Sequence, residues 1–314
     1  MRAILLSALL LAAPAAACDL MLEDEARSRR IPARLTLPPG EGQVPLVLWS
    51  PGLGGGLGQG AIYARAWAAA GIATMQLQHP GSDAMAYRQA DAAAKAAPDP
   101  GRARAARARI LREAAGPAQL DARLADVALA HARLTKGGRE DGCALDRVDA
   151  SRLGVAGHSM GGWVAQLLAG QRLVGLDIPR LPVRAALVVS GAPLVEGERA
   201  LAASLAMVRV PVLAVTGTLD GISDKATPDA QAAAMARRTA YWQALPAGDK
   251  QLLVAMGATH MHLAGTSGAM PEPMAARLGA LSADFWRATL LQDPAAKARL
   301  ATPLLSDGDS FRQK

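Results

Sequence analysis

Short apolar runs rich in Val, Leu, Ile and Ala alternate along this chain with longer segments whose apolar residues recur at helical spacing. The short runs fall at 31–37, 44–49, 72–77, 153–156, 185–189, 212–215 and 252–255 and read as strands. The run at 44–49 is apolar throughout, as in a strand covered on both faces. The longer segments at 61–70, 121–134, 162–170 and 271–291 read as helices, the last with Phe285 and Trp286 on its buried side. Turn-forming residues close the runs, among them Pro38-Pro39-Gly40, Ser50-Pro51-Gly52 and Ser190-Gly191-Ala192-Pro193. The alternation predicts an α/β fold, a mostly parallel central sheet flanked by helices. With no internal repeat and no long linker, residues 18–314 form a single domain.

Residues 84–116 break the rhythm. They are rich in Ala and Arg, with Arg102, Arg104, Arg107, Arg109 and Arg112 near helical spacing. This predicts a helical insert over the upper edge of the sheet, serving as a lid or as a solvated decoration. The first residues differ in another way: Arg2, an apolar stretch over 4–13 and Ala15-Ala16-Ala17 have the build of a cleavable targeting segment over 1–17. The stretch is too short to span a bilayer, so the expectation is an exported protein, periplasmic or secreted. Export permits a Cys18–Cys143 disulfide; the alternative is lipidation of Cys18, which alone would tie the protein to a membrane.

A net charge of +7 raises the question of a nucleic-acid partner. Only 3% of residues are aromatic, and outside the insert the Lys and Arg residues are scattered, so a basic protein without a nucleic-acid partner is the better reading.

The candidate chemistry lies at the ends of the strand-like runs, where ligands gather in parallel α/β sheets. Gly157-His158-Ser159-Met160-Gly161-Gly162 stands between an apolar run and a helical segment, the context of a nucleophile elbow. A Gly-rich turn is the plain alternative. Ser159 needs an imidazole to take its proton and a carboxylate to orient that imidazole. Asp220 and His260 stand just past two later strand ends, in Thr216-Gly217-Thr218-Leu219-Asp220 and Gly257-Ala258-Thr259-His260. Asp224 and His262 are their rivals, and His260 is favoured because it is nearer its strand end. An oxyanion needs two donors: the Met160 amide, next after the nucleophile, and the Leu53 amide of the Pro51-Gly52-Leu53-Gly54-Gly55-Gly56 loop. A phosphate cradle is disfavoured there because the Lys-Ser/Thr ending of a P-loop is missing. His158 is expected to point away from the pocket and support the elbow, His79 and Asp83 to shape their loop, with lining the site as the alternative, and His131 to be structural. Trp49, Trp163 and Met160 could line an acyl pocket, although core packing is the commoner fate of such residues. No metal-ligand spacing is present.

These motifs, together with His79-Pro80-Gly81-Ser82-Asp83, resemble bacterial α/β-hydrolases of the dienelactone-hydrolase-like group, which are themselves similar to platelet-activating-factor acetylhydrolases. The resemblance runs from about residue 24 to the last helix and is weakest across 84–116. Many of these relatives carry His-Gly where Pro51-Gly52 stands here. Dienelactone hydrolases proper use a cysteine nucleophile, so Ser159 implies ester hydrolysis instead. The resemblance implies a cofactor-free serine esterase with Ser159, Asp220 and His260 as its triad and Leu53 and Met160 at the oxyanion. Its substrate would be a small-molecule or lipid ester, or a polyester, since polyester-degrading relatives share these patterns. An amidase or lactonase with the same triad, and a silent hydrolase fold that only binds, are the other readings.

Overall fold

The computed structural model describes residues 15–314. In chain order the elements are β1 (Ala16–Asp24), β2 (Arg29–Leu37), β3 (Val44–Ser50), α1 (Ala61–Ala69), β4 (Ala73–Leu77), α2 (Ala84–Lys95), α3 (Pro100–Ala114) and α4 (Pro117–Lys136). After these come a two-strand hairpin, β5 (Arg139–Glu140) and β6 (Cys143–Ala144), then β7 (Val148–His158), α5 (Met160–Leu168), β8 (Val183–Val189) and α6 (Glu198–Leu205). The last third holds β9 (Val212–Leu219), α7 (Pro228–Ala244), β10 (Lys250–Thr259), α8 (His260–Leu263), α9 (Glu272–Leu290), α10 (Pro294–Ala301) and β11 (Ser310–Gln313).

Nine strands form one sheet in the order β1-β2-β4-β3-β7-β8-β9-β10-β11. From β4 to β10 every neighbouring pair is parallel, while β1, β2 and β11 run antiparallel at the edges. This is the mostly parallel α/β arrangement expected from the sequence. Helices cover both faces, so the central strands β3 and β8 are buried almost throughout and read as unbroken apolar runs. One face packs against α4, α5, α6 and α7 through Leu124, Val127, Val164, Leu167, Leu205 and Trp242. The other packs against α1 and α9, where few aromatics are used to concentrated effect. Trp49, Tyr63, Trp67, Phe285 and Trp286 are all buried there, with Trp49 stacked on Tyr63 at 5.3 Å and Trp67 edge-on to Trp286 at 5.6 Å. Such large side chains dominate core energetics, and their ring geometry adds specificity to the burial. Trp49 thus belongs to the core and not to an acyl pocket.

Because the β3 and β4 ends lie beside the β7 end, this topology gathers the loops after β3, β4, β7, β8, β9 and β10 along one rim of the sheet. The insert is a pair of helices, α2 and α3, packed on each other between β4 and α4. The predicted targeting segment lies mainly outside the described residues; its last residues, Ala16 and Ala17, pair with Leu37 and Thr36 in β1. Cys18 on β1 is disulfide-bonded to Cys143 on β6, with Cα atoms 5.6 Å apart, the pairing favoured over lipidation. Among the described residues no helix is long and apolar enough to cross a membrane.

Candidate active site

The chain turns sharply where β7 meets α5. Ser159 sits at φ 54°, ψ −116°, a left-handed conformation that costs a residue with a side chain of order 1–3 kcal/mol. The glycines around it make the turn feasible. A Cβ on Gly157 would lie 2.1 Å from the Gly161 carbonyl oxygen, and one on Gly161 would lie 1.9 Å from that of Ser50. The Ser159 amide donates to the Val189 carbonyl at 2.9 Å, anchoring the turn to the next strand and leaving the residue half-exposed. Met160 occupies the first turn of α5, where backbone amides lack intrahelical acceptors and the helix dipole is positive.

Asp220 and His260 meet across the ends of β9 and β10. His260 Nδ1 donates to Asp220 Oδ1 at 2.7 Å, and the His260 ring keeps nearly a third of its surface exposed. Asp220 is buried, with Thr216 Oγ1 donating to its Oδ2 at 2.7 Å and Ser190 Oγ donating to its Oδ1 at 2.8 Å. Ser190 Oγ is also 2.7 Å from His260 Nδ1. Burial alone would raise the Asp220 carboxyl, but the His260 hydrogen bond, the Arg238 guanidinium and the two hydroxyls outweigh it and hold the carboxyl below the usual range. Both rivals are occupied elsewhere. His262 Nδ1 accepts from the Thr259 amide in a capping box at the start of α8, and Asp224 is exposed and accepts from Ser223.

Ser159 enters this cluster through its neighbour. The His158 ring packs 4.6 Å from the His260 ring, and its Nε2 bonds the His260 carbonyl oxygen at 2.9 Å. His158 therefore supports the backbone of the second histidine, a closer role than the expected one of propping the elbow. Ser159 Oγ and the His260 ring form no hydrogen bond in this structure; such contacts are often long before a substrate binds. On the opposite side, the loop after β3 closes on Ser159: a Cβ on Gly52 would lie 3.4 Å from Ser159 Cβ. The Gly52 amide is taken by Gln59 Oε1 at 2.8 Å, and those of Gly54 and Gly55 by the Ser82 and Gly52 carbonyls. Among the described residues no acceptor takes the Leu53 amide. Gly54, at φ 78°, lets the Tyr87 ring of α2 lie so close that a Cβ would be 2.4 Å from Cε2.

His79 and Asp83 shape the β4 loop as expected. Asp83 caps α2 through the Met85 amide, and His79 is fully buried between Ser50 and Asp126. His131 is structural, bonding the Ala150 carbonyl. Trp163 is half-buried with its indole N–H on the Ala192 carbonyl, while Met160 is buried. Sequence reasoning missed Ser190, Thr216 and Arg238 around Asp220, and Arg123 and Asp126 beneath the β3 loop. The position of Ser190 at a strand end was the available signal for the first group. For the second it was charges interleaved with the apolar face of α4. Among the described residues no His, Cys, Asp and Glu side chains gather as a metal site. A roomy cavity of about 690 Å³ between α9 and α10 shares no residue with this cluster.

Burial pushes the His79 imidazole down to about 4 and the His158 imidazole down to about 3. Both are neutral in the folded protein, whereas in the unfolded chain they titrate near the ordinary ~6.5. Between about pH 6.5 and 4 the unfolded state therefore binds more protons, and stability must fall as the pH falls. Each ring contributes up to about 1.4 kcal/mol per pH unit in that window. Urea unfolding at pH 7.5, 6 and 5 should show this decline; a constant free energy across the series would contradict it.

No family model matches the chain, and no curated protein matches it significantly, so what the site does must be read from its geometry.

Proposed function

We propose that the chain is a serine hydrolase that cleaves carboxylic esters through an acyl-enzyme. The observation that carries this is the Asp220–His260 hydrogen bond at 2.7 Å, set beside a strained, half-exposed Ser159. Asp220 keeps the proton of His260 on Nδ1 and so leaves Nε2 as a base. Ser159 Oγ attacks the ester carbonyl carbon and gives its proton to His260 Nε2. The tetrahedral oxyanion is held by the amides of Leu53 and Met160, for which no acceptor is present among the described residues. Collapse breaks the bond to the alcohol oxygen, which takes the proton from His260. Water then adds to the acyl-enzyme through the same base, releasing the acid and restoring Ser159.

The substrate class is a small-molecule or lipid ester. The Cys18–Cys143 disulfide supports an oxidising, extracytoplasmic location. The test is hydrolysis of p-nitrophenyl acetate and butyrate by the wild type and by Ser159→Ala. The variant should lose at least ~10³-fold in kcat and all labelling by a fluorophosphonate probe. Equal rates would refute the assignment. A wild type that neither turns over nor labels would favour a silent binding protein.

A further inference from the structure

Below the β3 loop lies a second hydroxyl–imidazole–carboxylate series, sealed from solvent. Ser50 Oγ is 3.0 Å from His79 Nε2, and His79 Nδ1 is 2.9 Å from Asp126 Oδ2; the three residues are at most 2% exposed. No substrate reaches it, so it performs no acyl chemistry of its own. Burial works against the Asp126 carboxylate, yet hydrogen bonds from His79 and Arg29 bring it down to about 2, so it is ionised. His79, pushed down to about 4 by burial, is neutral at pH 7; it then carries its single proton on Nδ1 toward Asp126, and its Nε2 accepts a hydrogen bond from the Ser50 hydroxyl. This leaves the Ser50 oxygen as an acceptor, and Arg123 Nη1 fills it at 3.4 Å.

Arg123 is wholly buried, and a buried cation is costly unless its donors are matched. A guanidinium has five N–H groups. Here they face Ser50 Oγ, Ser82 Oγ, and the carbonyls of Pro51, Gly52 and Ser82. The Ser82 carbonyl also accepts the Gly54 amide at 2.9 Å. Among the described residues no peptide bond is cis, so the carbonyl of Gly52 and the N–H of Leu53 point in opposite directions. Fixing the first on Arg123 therefore turns the second away from that buried guanidinium.

We propose that Arg123, locked by the Asp126–His79–Ser50 series, is a positioning residue that aims the Leu53 amide at the developing oxyanion. The proposal rests on the esterase reading above for the role of Leu53. Two variants test it, Ser50→Ala and Arg123→Lys, the second keeping the charge but losing the fork. With p-nitrophenyl butyrate, Ser50→Ala should lower kcat about tenfold and Arg123→Lys about 10²-fold, each with KM within about twofold. Affinity for a trifluoromethyl ketone, which forms the tetrahedral adduct, should weaken by the same factors. A purely structural role would leave that affinity unchanged in protein still folded at the assay temperature, and such a result overturns the proposal. If Arg123→Lys does not fold, Ser50→Ala decides. Hydrogen exchange of the Gly54 and Gly55 amides provides a readout independent of turnover. Faster exchange in Ser50→Ala supports the positioning even if the wild type proves inactive on esters, a failure that would count against the esterase reading alone. Unchanged exchange overturns it.

Discussion

Asp220→Asn is expected to lower kcat for p-nitrophenyl butyrate by about 10³- to 10⁴-fold, with the protein still folded. The carboxylate does two things for His260: it fixes the proton on Nδ1, and it stabilises the imidazolium formed when Ser159 is deprotonated. Asparagine removes the charge in either orientation. If its amide nitrogen replaces Oδ1, it faces Nδ1 as a donor and forces the proton onto Nε2, where the ring no longer acts as a base. Ser190 Oγ donates to Oδ1 at 2.8 Å, and the Arg238 guanidinium lies 3.3 Å away. Both prefer an oxygen there, which is why the lower end of the range is included. Asp224→Asn is the control. That residue is exposed, its carboxylate accepts only from Ser223, and the bond its backbone carbonyl accepts from Gln231 of α7 is kept by the substitution, so kcat should stay within about twofold of the wild type. A result in which Asp224→Asn is the damaging change and Asp220→Asn the silent one would reverse the carboxylate assignment.

Removing the disulfide should produce the largest single loss of stability. Cys18 and Cys143 are 125 residues apart in sequence, and a cross-link closing so long a loop restricts the unfolded chain by about 4.9 kcal/mol on chain-entropy arguments, with measured losses of about 2–5. Cys143 is also fully buried, so Cys18→Ser/Cys143→Ser leaves a hydroxyl within an apolar cluster. Urea unfolding of the double variant, or of the wild type in reductant, should show a lowered midpoint. Turnover well below the transition should persist, since the bond joins β1 to β6 while Ser159, Asp220 and His260 follow β7, β9 and β10. A midpoint unmoved by reduction would mean the unfolded chain is already restrained in that region.

The residues of the candidate site were legible where a strand end coincided with a residue type of narrow chemical use. Ser159 between glycines, Asp220 after an apolar run and His260 after another fit that description, and the structure brings the last two into hydrogen-bonding contact. Ser190 ended a strand just as visibly, but a serine followed by glycine is indistinguishable from an ordinary turn until Asp220 is seen beside it. Arg123 and Asp126 were hidden for a different reason. Helical spacing reveals which residues share a face, but not that a charged pair on that face is sealed beneath a loop from another part of the chain. The antiparallel edges were the least legible part of the sheet. β1 begins inside the segment read as a targeting peptide, and β11 offers only Phe311 as an apolar signal. The alanine-rich helices α7 and α10 also escaped because their apolar stripes are weak, and α6 because eight residues are too few to establish a helical period.

The α2–α3 hairpin leaves the sheet after β4 and returns at α4, and it meets the β3 loop where the Tyr87 ring rests on Gly54. Under the proposed reading, the hairpin touches the oxyanion loop without carrying any of Ser159, Asp220 and His260. It is a brace laid on that loop from outside the sheet, so that part of the rim's shape is borrowed from a segment that takes no share in the chemistry.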